Sequence, residues 1–204
     1  IECVVVDDGQ LYTATSEGVW NISSNEKYTT INAAIDDASN GDVIVVYPGT
    51  YYENINFDGK AITIRSVDPN DWDIVEATII DGGESNTVTF NNGEGQDSVL
   101  TGLTITNVFE KGVYVDTGAK PVISKCYLYS MEYGCYLKDA ATIDSCTIYN
   151  CHSGIYIYCY YTYAPVSPLI QDCDITYCYY GISSSGSPVV DNCIMQNNKQ
   201  GIMV

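Results

Sequence analysis

The chain is poor in positive charge. Eight basic residues stand against 26 acids over 204 residues, a net charge of −18, with one arginine (Arg65) and one histidine (His152). A surface of that sign repels phosphate backbones and anionic lipid, which argues against nucleic acid as a partner. No apolar run approaches the roughly 18–20 residues that cross a bilayer, so membrane insertion is not expected. No basic stretch followed by an apolar run stands at Ile1, so an export signal is missing or already removed. Phenylalanine and tryptophan are also scarce, at three and two residues.

Cysteine and tyrosine are abundant instead, with nine and 19 residues. Thirteen of the tyrosines lie between Tyr127 and Tyr180. Nine cysteines suit an oxidising compartment, and hence an extracellular or cell-surface location, with at least one thiol unpaired. The 46% hydrophobic content is ample for one core.

The second half repeats itself. Pro121–Cys126, Ala141–Cys146, Pro168–Cys173 and Pro188–Cys193 align, each ending in cysteine, at steps of 20, 27 and 20 residues. The longer step contains Tyr158–Val166. An apolar residue follows two positions after each cysteine (Leu128, Ile148, Ile175, Met195), and glycine eight positions after it (Gly134, Gly154, Gly181, Gly201). A repeat of about 20 residues, built of short period-two stretches, suits one turn of a parallel β-helix, because no single turn buries its own inward face. Stacking then makes Cys126, Cys146, Cys173 and Cys193 an inward ladder, continued upstream by Leu103. The four glycines are expected at a corner with positive φ. Asn107, Asn150 and Asn197 are turn residues that tolerate the left-handed region.

The first half follows the same logic with looser turns. Strands are expected over Gly41–Tyr47, Glu53–Phe57, Ala61–Arg65, Ala77–Ile80, Thr87–Phe90 and Ser98–Ile105, separated by Asp-, Gly-, Asn- and Pro-rich breaks. Ile31, Ala34, Ile35 and Ala38 lie on one helical face, with Thr29 or Thr30 as N-cap. The fold class is thus all-β: a single-stranded right-handed parallel β-helix with a short capping helix over 30–39. Residues 1–29 form an N-terminal strand and cap region, 30–204 the solenoid, with regular repeats over 120–204.

The segments Tyr28–Ala38, Gly41–Ile55 and Lys60–Ser66 resemble the opening of pectate-lyase-like right-handed β-helix proteins. The later Gly-Ile-Tyr and Gly-Ile-Ser turns resemble their repeats. The resemblance covers roughly Tyr28 to the end and implies the fold. It does not select an activity, because such folds host lyases, hydrolases, epimerases, adhesins and non-catalytic surface proteins.

For a polysaccharide lyase the resemblance implies an Arg or Lys base and an acid cluster holding Ca²⁺. Arg65 is the first suspect by scarcity; Lys111, Lys125 and Lys138 lack an acid cluster in column. The Gly-His-Gly and Arg-Ile-Lys motifs of the related hydrolases are missing, and His152 falls on a turn. Asp172 and Asp174 flank Cys173, with Asp144 and Asp191 on the same or neighbouring columns, and these acids read best as a solvated face. No catalytic residue is therefore assigned. No cofactor is expected apart from Ca²⁺, for which Asp68, Asp71 and Asp73 are candidates, as is Asp7-Asp8-Gly9; turn formation explains those residues equally well.

In-register Cβ atoms about 4.8 Å apart are too far for an unstrained disulfide, so the ladder is expected to be reduced. Cys151 and Cys178 share a turn column and are the best pair for a bond between turns. Cys3 and Cys159 are left for contacts between subunits. Tyr129 with Tyr149, Tyr136 with Tyr156, and Tyr133 with Tyr180 share outward columns, and Tyr160, Tyr161 and Tyr163 crowd an inserted loop. Together they suggest a surface for stacking on sugar rings or for assembly. The bare strand Ile1–Val6 and the mid-repeat stop at Val204 suggest head-to-tail pairing of copies into filaments. The leading expectation is a non-catalytic extracellular structural or adhesive β-helix whose partner is itself. The alternatives are a carbohydrate-binding β-helix and a lyase acting on acidic polysaccharide.

Overall fold

Strands of two to five residues bury an inward face only when stacked. A computed structural model, which describes residues 2–7, 10–15, 18–106, 109–159 and 166–203, shows that stacking. Each of seven turns gives one strand to each of three parallel sheets. The first sheet runs from Val43–Val46 through Thr63–Ser66, Val99–Thr101, Val122–Ser124, Thr142–Asp144 and Leu169–Gln171 to Val189–Asp191. The second runs from Gly49–Tyr51 to Ile194–Gln196, and the third from Ile55–Asn56 to Gln200–Met203.

Register places like on like. Ile44, Ile64, Leu100, Ile123, Ile143 and Ile170 form one inward column of the first sheet. Ile80, Ile105, Leu128, Ile148 and Ile175 form that of the second. Val88, Val113, Cys135, Ile155 and Ile182 line the third. All are fully buried. β-Branched side chains suit a pleated surface, and apolar burial of this kind is the main driving force for stacking.

The corners use left-handed residues. Between the first and second sheets these are Gly102, Lys125, Ser145, Asp172 and Asn192, with φ of 67, 52, 53, 53 and 48°. Between the second and third they are Ser130, Asn150, Tyr177 and Asn197. Cysteine follows six of these residues: Cys126, Cys146, Cys173 and Cys193 at one corner, Cys151 and Cys178 at the other. Each thiol donates to the carbonyl two residues back, as Cys173 Sγ does to Gln171 O at 3.1 Å. Cysteine thus fills the inside of a tight corner and supplies a weak donor to an inward carbonyl.

The repeat glycines behave otherwise than expected. Gly134, Gly154 and Gly181 lack positive φ and lie buried within third-sheet strands, where the limit is space. A Cβ on Gly154 would stand 2.6 Å from the Gly181 carbonyl oxygen and 2.6 Å from Ile175 Cγ2. Gly112 continues this column one turn earlier, with Met131 Sδ 2.4 Å from its would-be Cβ. Gly201, in the last turn, meets nothing.

The helix spans Ile31–Asp37, with Thr30 Oγ1 accepting from Ala33 N at 3.2 Å. The first solenoid turn clamps both its ends. Glu53 accepts from the Ile31 and Asn32 amides at 2.9 and 3.0 Å, and Lys60 donates to the Ile35 and Asp36 carbonyls. An acid at the N-terminus and a cation at the C-terminus also match the helix dipole. Val19–Asn21 pairs antiparallel with Val43–Val46, covering the first sheet's edge.

Three expectations need correction. Glu2–Asp7 is no bare strand but pairs antiparallel with Gln10–Thr15. Ser98–Ile105 is two strands, because Gly102 turns the corner inside it. A second helix, Trp72–Ala77, follows Asp71, which caps it through Asp73 N at 3.0 Å. At the other end Val189, Ile194 and Ile202 are about half exposed.

Gly154→Ala should lower stability to urea by about 1–3 kcal/mol, the usual range for overpacking. Gly95→Ala, whose Cβ would meet open space, should leave it nearly unchanged. Equal effects would contradict the close-approach role.

Candidate binding surface on the third sheet

Outward positions of the third sheet carry rings in register. Tyr114 pairs with Tyr136, and Tyr136 with Tyr156. Their centroids are 5.8 and 5.0 Å apart. Tyr133 adds an edge contact to Tyr136 at 5.4 Å and one to Tyr156 at 5.2 Å, and Tyr158 lies 6.4 Å from Tyr156. All five rings are half-buried; Tyr133 meets Tyr136 edge-on, Tyr156 and Tyr158 stack, and the remaining contacts are tilted, with 37–59° between ring planes.

Two of the few lysines lie beside them. Lys138 donates to the Tyr114 hydroxyl at 2.6 Å and to Asp116 at 3.2 Å. Lys111 pairs with Glu110 at 2.8 Å and lies 5.4 Å from the Tyr136 centroid. The bond to Tyr114 foremost, then that to Asp116, holds the Lys138 ammonium above the ordinary lysine range. Burial acts to raise Asp116, but the Thr117 amide and Lys138 together hold it below the usual carboxylate range. Partial burial foremost pushes Tyr133 and Tyr136 up, followed by the Glu132 carboxylate for Tyr133 and by the Tyr156 phenol for Tyr136. The face is therefore aromatic, with each cation matched by a carboxylate.

Tyr180 extends the Tyr133 column, with Ser153 between them. Beside it runs another column, Glu110–Glu132–His152–Tyr179–Lys199, registered by the bonds Tyr133 N to Glu110 O, Ser153 N to Glu132 O, Tyr180 N to His152 O and Gln200 N to Tyr179 O. His152 stacks on Tyr179 at 5.2 Å, and Lys199 donates to the Tyr179 hydroxyl at 2.9 Å. That hydrogen bond holds Tyr179 below the ordinary phenol range.

The second sheet brings Tyr129 beside Tyr149, but their direct ring contacts lie elsewhere. Tyr129 stacks on Tyr127 at 5.1 Å, Tyr127 meets Trp72 at 5.8 Å, and Tyr149 meets Tyr177 at 5.3 Å. Tyr160, Tyr161 and Tyr163 lie outside the described residues, as do Asp8, Gly9 and Asn107. Tyr114 was not anticipated, although Gly112-Val-Tyr114 has the spacing of Gly134-Cys-Tyr136 and Gly154-Ile-Tyr156.

The candidate catalytic groups do not converge. Arg65 donates to the Ser66 and Val67 carbonyls at 3.0 and 2.9 Å, and Lys125 to Asn70 Oδ1 at 2.6 Å. Asp144 lies on the first sheet, Asp172 at a corner and Asp174 on the second sheet. Asp191 is in the Asp144 column with Gln171 between. Asp68 and Asp71 each give an oxygen to a local amide. No group of three metal-ligating side chains gathers among the described residues. Cys126, Cys146, Cys173 and Cys193 stand in one corner column as free thiols. Cys151 and Cys178, the pair expected to be bonded, stand in the other corner column, also as free thiols, and donate to the Tyr149 and Thr176 carbonyls. Burial pushes the Cys135 and Cys146 thiols well up. Cys159 is half-buried, with its amide donating to Ser185 Oγ at 2.8 Å; the side chain of Cys3 is not among those described.

A family model described as the right handed beta helix region matches residues 15–167 and 61–204. Among solved structures, the pectin methylesterase from Aspergillus niger, in a penultimately deglycosylated form, superimposes with a TM-score of 0.52 at 13% identity. The match covers 90% of this chain and 87% of that one. At that identity the likeness is one of fold. No curated protein matches the chain. Among the described residues no helix is long and apolar enough to cross a membrane.

The Tyr179–Lys199 contact gives a titration test. Tyr179 should ionise below the ordinary phenol range and ahead of Tyr127, Tyr133 and Tyr136, and Lys199→Met should delay that early step while leaving the late, partly buried group unchanged. An unaltered onset in the ultraviolet phenolate titration would contradict the contact.

Proposed function

The chain belongs to the right-handed β-helix family, and from that premise we propose that it is a non-catalytic, secreted or surface-displayed adhesive protein that binds glycan on its third sheet. The observation that carries this reading is the row Tyr114–Tyr136–Tyr156, one ring per turn, buttressed by Tyr133 and Tyr158. Rings fixed by their neighbours lose little entropy on binding, and the half-exposed ring carbons of the row offer an apolar strip against which pyranose rings can pack. Their strand-step spacing suits successive sugars of an extended chain lying along the solenoid axis.

Charge narrows the glycan class. Lys111 and Lys138 are already matched by Glu110 and Asp116, and the chain carries −18 overall. Such a face offers a polyuronate no net attraction. Neutral or cationic glycans therefore fit better than the acidic polysaccharide of the lyase alternative. A non-catalytic role is supported by the engagement of Arg65, Lys111, Lys125 and Lys138 in local contacts.

Tyr136→Ala and Tyr156→Ala should each weaken binding of a neutral oligosaccharide roughly two- to tenfold, as expected for losing an aromatic contact of about 0.5–1.5 kcal/mol. Tyr28→Ala, at the cap, should leave binding unchanged. Calorimetry on variants of verified fold would overturn the reading if Tyr136→Ala and Tyr156→Ala bound like the parent chain.

A further inference from the structure

Where the tyrosine face meets the corner after the second sheet, the surface hollows into a cavity of about 320 Å³ lined by Phe109, Ser130, Met131, Glu132 and Asn150. That volume is at the small end of ligand pockets and suits one sugar ring. We propose that this pocket takes the protonated amine-bearing ring of an amino sugar, and so selects cationic glycans for the adjoining tyrosine face. The inference rests on the glycan reading above and adds the class of sugar.

The pocket wall is mostly polar, with oxygen acceptors facing it. Phe109, 64% exposed, stands among its lining residues. Asn150 Nδ2 is used on Ser130 Oγ at 3.2 Å, which leaves the Asn150 carbonyl oxygen as its acceptor. Glu132 is exposed and forms no salt bridge among the described residues. It follows Glu110 in the same column, one turn on. Lys111 neutralises Glu110, and on the other side His152 stacks on Tyr179. Glu132 is thus a carboxylate without a matching cation, next to a second acid, in a strongly acidic protein. An ammonium group placed there gains a charge-assisted hydrogen bond to Glu132.

Position links pocket and face. Glu132 immediately precedes Tyr133, whose ring contacts Tyr136 and Tyr156. Both Glu132 and Glu110 act to raise the Tyr133 hydroxyl, after burial, so their field reaches the first ring of the face. Asn150 and Ser130 are the left-handed residues of consecutive turns. Two turns therefore build the pocket, and its shape depends on the same stacking that aligns the rings.

The test is calorimetry with a β-1,4-linked glucosamine tetramer and the matching glucose tetramer, at a pH that protonates the amine and at moderate salt. The parent chain should prefer the glucosamine tetramer by roughly five- to tenfold. Glu132→Gln should bring the two near parity while leaving affinity for the glucose tetramer unchanged. Asp97→Asn, an equal change of net charge at an exposed site near the first sheet, should keep the preference. Tyr156→Ala should weaken both ligands together. Parity in the parent chain, or a preference that survives Glu132→Gln, overturns the pocket while leaving the tyrosine face intact. Binding of neither tetramer overturns both.

Discussion

The hydrogen-bond ladder between successive turns is the constraint from which the rest follows. A three-residue strand such as Thr142–Asp144 has no partner within its own turn, so its amides and carbonyls are met above and below by Val122–Ser124 and Leu169–Gln171. The ladder fixes spacing near one strand step, and every side chain then meets the residue at the same position in the next turn. Inward, that aligns Ile123, Ile143 and Ile170. Outward, it aligns Tyr114, Tyr136 and Tyr156. Core and candidate binding face are products of one register, and a turn that slipped would lose both.

The corners show how the sequence meets this constraint. Left-handed backbone is required at every turn, yet Lys125, Ser145, Asp172, Asn192 and Tyr177 supply it, where glycine would carry less strain. At Gly112, Gly134, Gly154 and Gly181 glycine answers a different need, because the next turn's backbone or a neighbouring side chain leaves no room for a Cβ. Steric exclusion cannot be relieved in a stacked solenoid, because moving one strand moves its neighbours. A modest dihedral cost at an exposed corner is tolerable. Cysteine at the inside of the corner combines small volume, apolar character and a weak donor, which accounts for six of its positions without invoking disulfides.

Much of this was legible in the residues. The Cys-to-Gly spacing identified the repeat, the inward ladder and the fold class, because exact stacking forces periodicity into the sequence. The left-handed conformation of Asn150 and Asn197 followed from side-chain chemistry. The glycines were assigned the wrong reason, since dihedral and space both select for glycine and only coordinates separate them. Trp72–Ala77 was hidden because Asp68, Asp71 and Asp73 read equally as turn residues and as oxygen ligands; Asp71 serves as a helix cap. Of the candidate face, Tyr136 and Tyr156 were visible as a column. Tyr133 was paired with Tyr180 alone, and Tyr114 escaped because its turn lacks the cysteine that marks the later repeats. The corner pocket was illegible, since Phe109, Glu132 and Asn150 come together only through the packing of separate turns.

The account turns on the third sheet's rings acting together as the surface that meets sugar. Tyrosine ring resonances followed by nuclear magnetic resonance during titration with a neutral oligosaccharide test that most directly. Shifts concentrated on Tyr114, Tyr133, Tyr136, Tyr156 and Tyr158, with Tyr47 and Tyr51 of the first turns unmoved, are the predicted result. Shifts centred on the second-sheet rings Tyr129, Tyr149 and Tyr177, or no saturable shift anywhere, would contradict it.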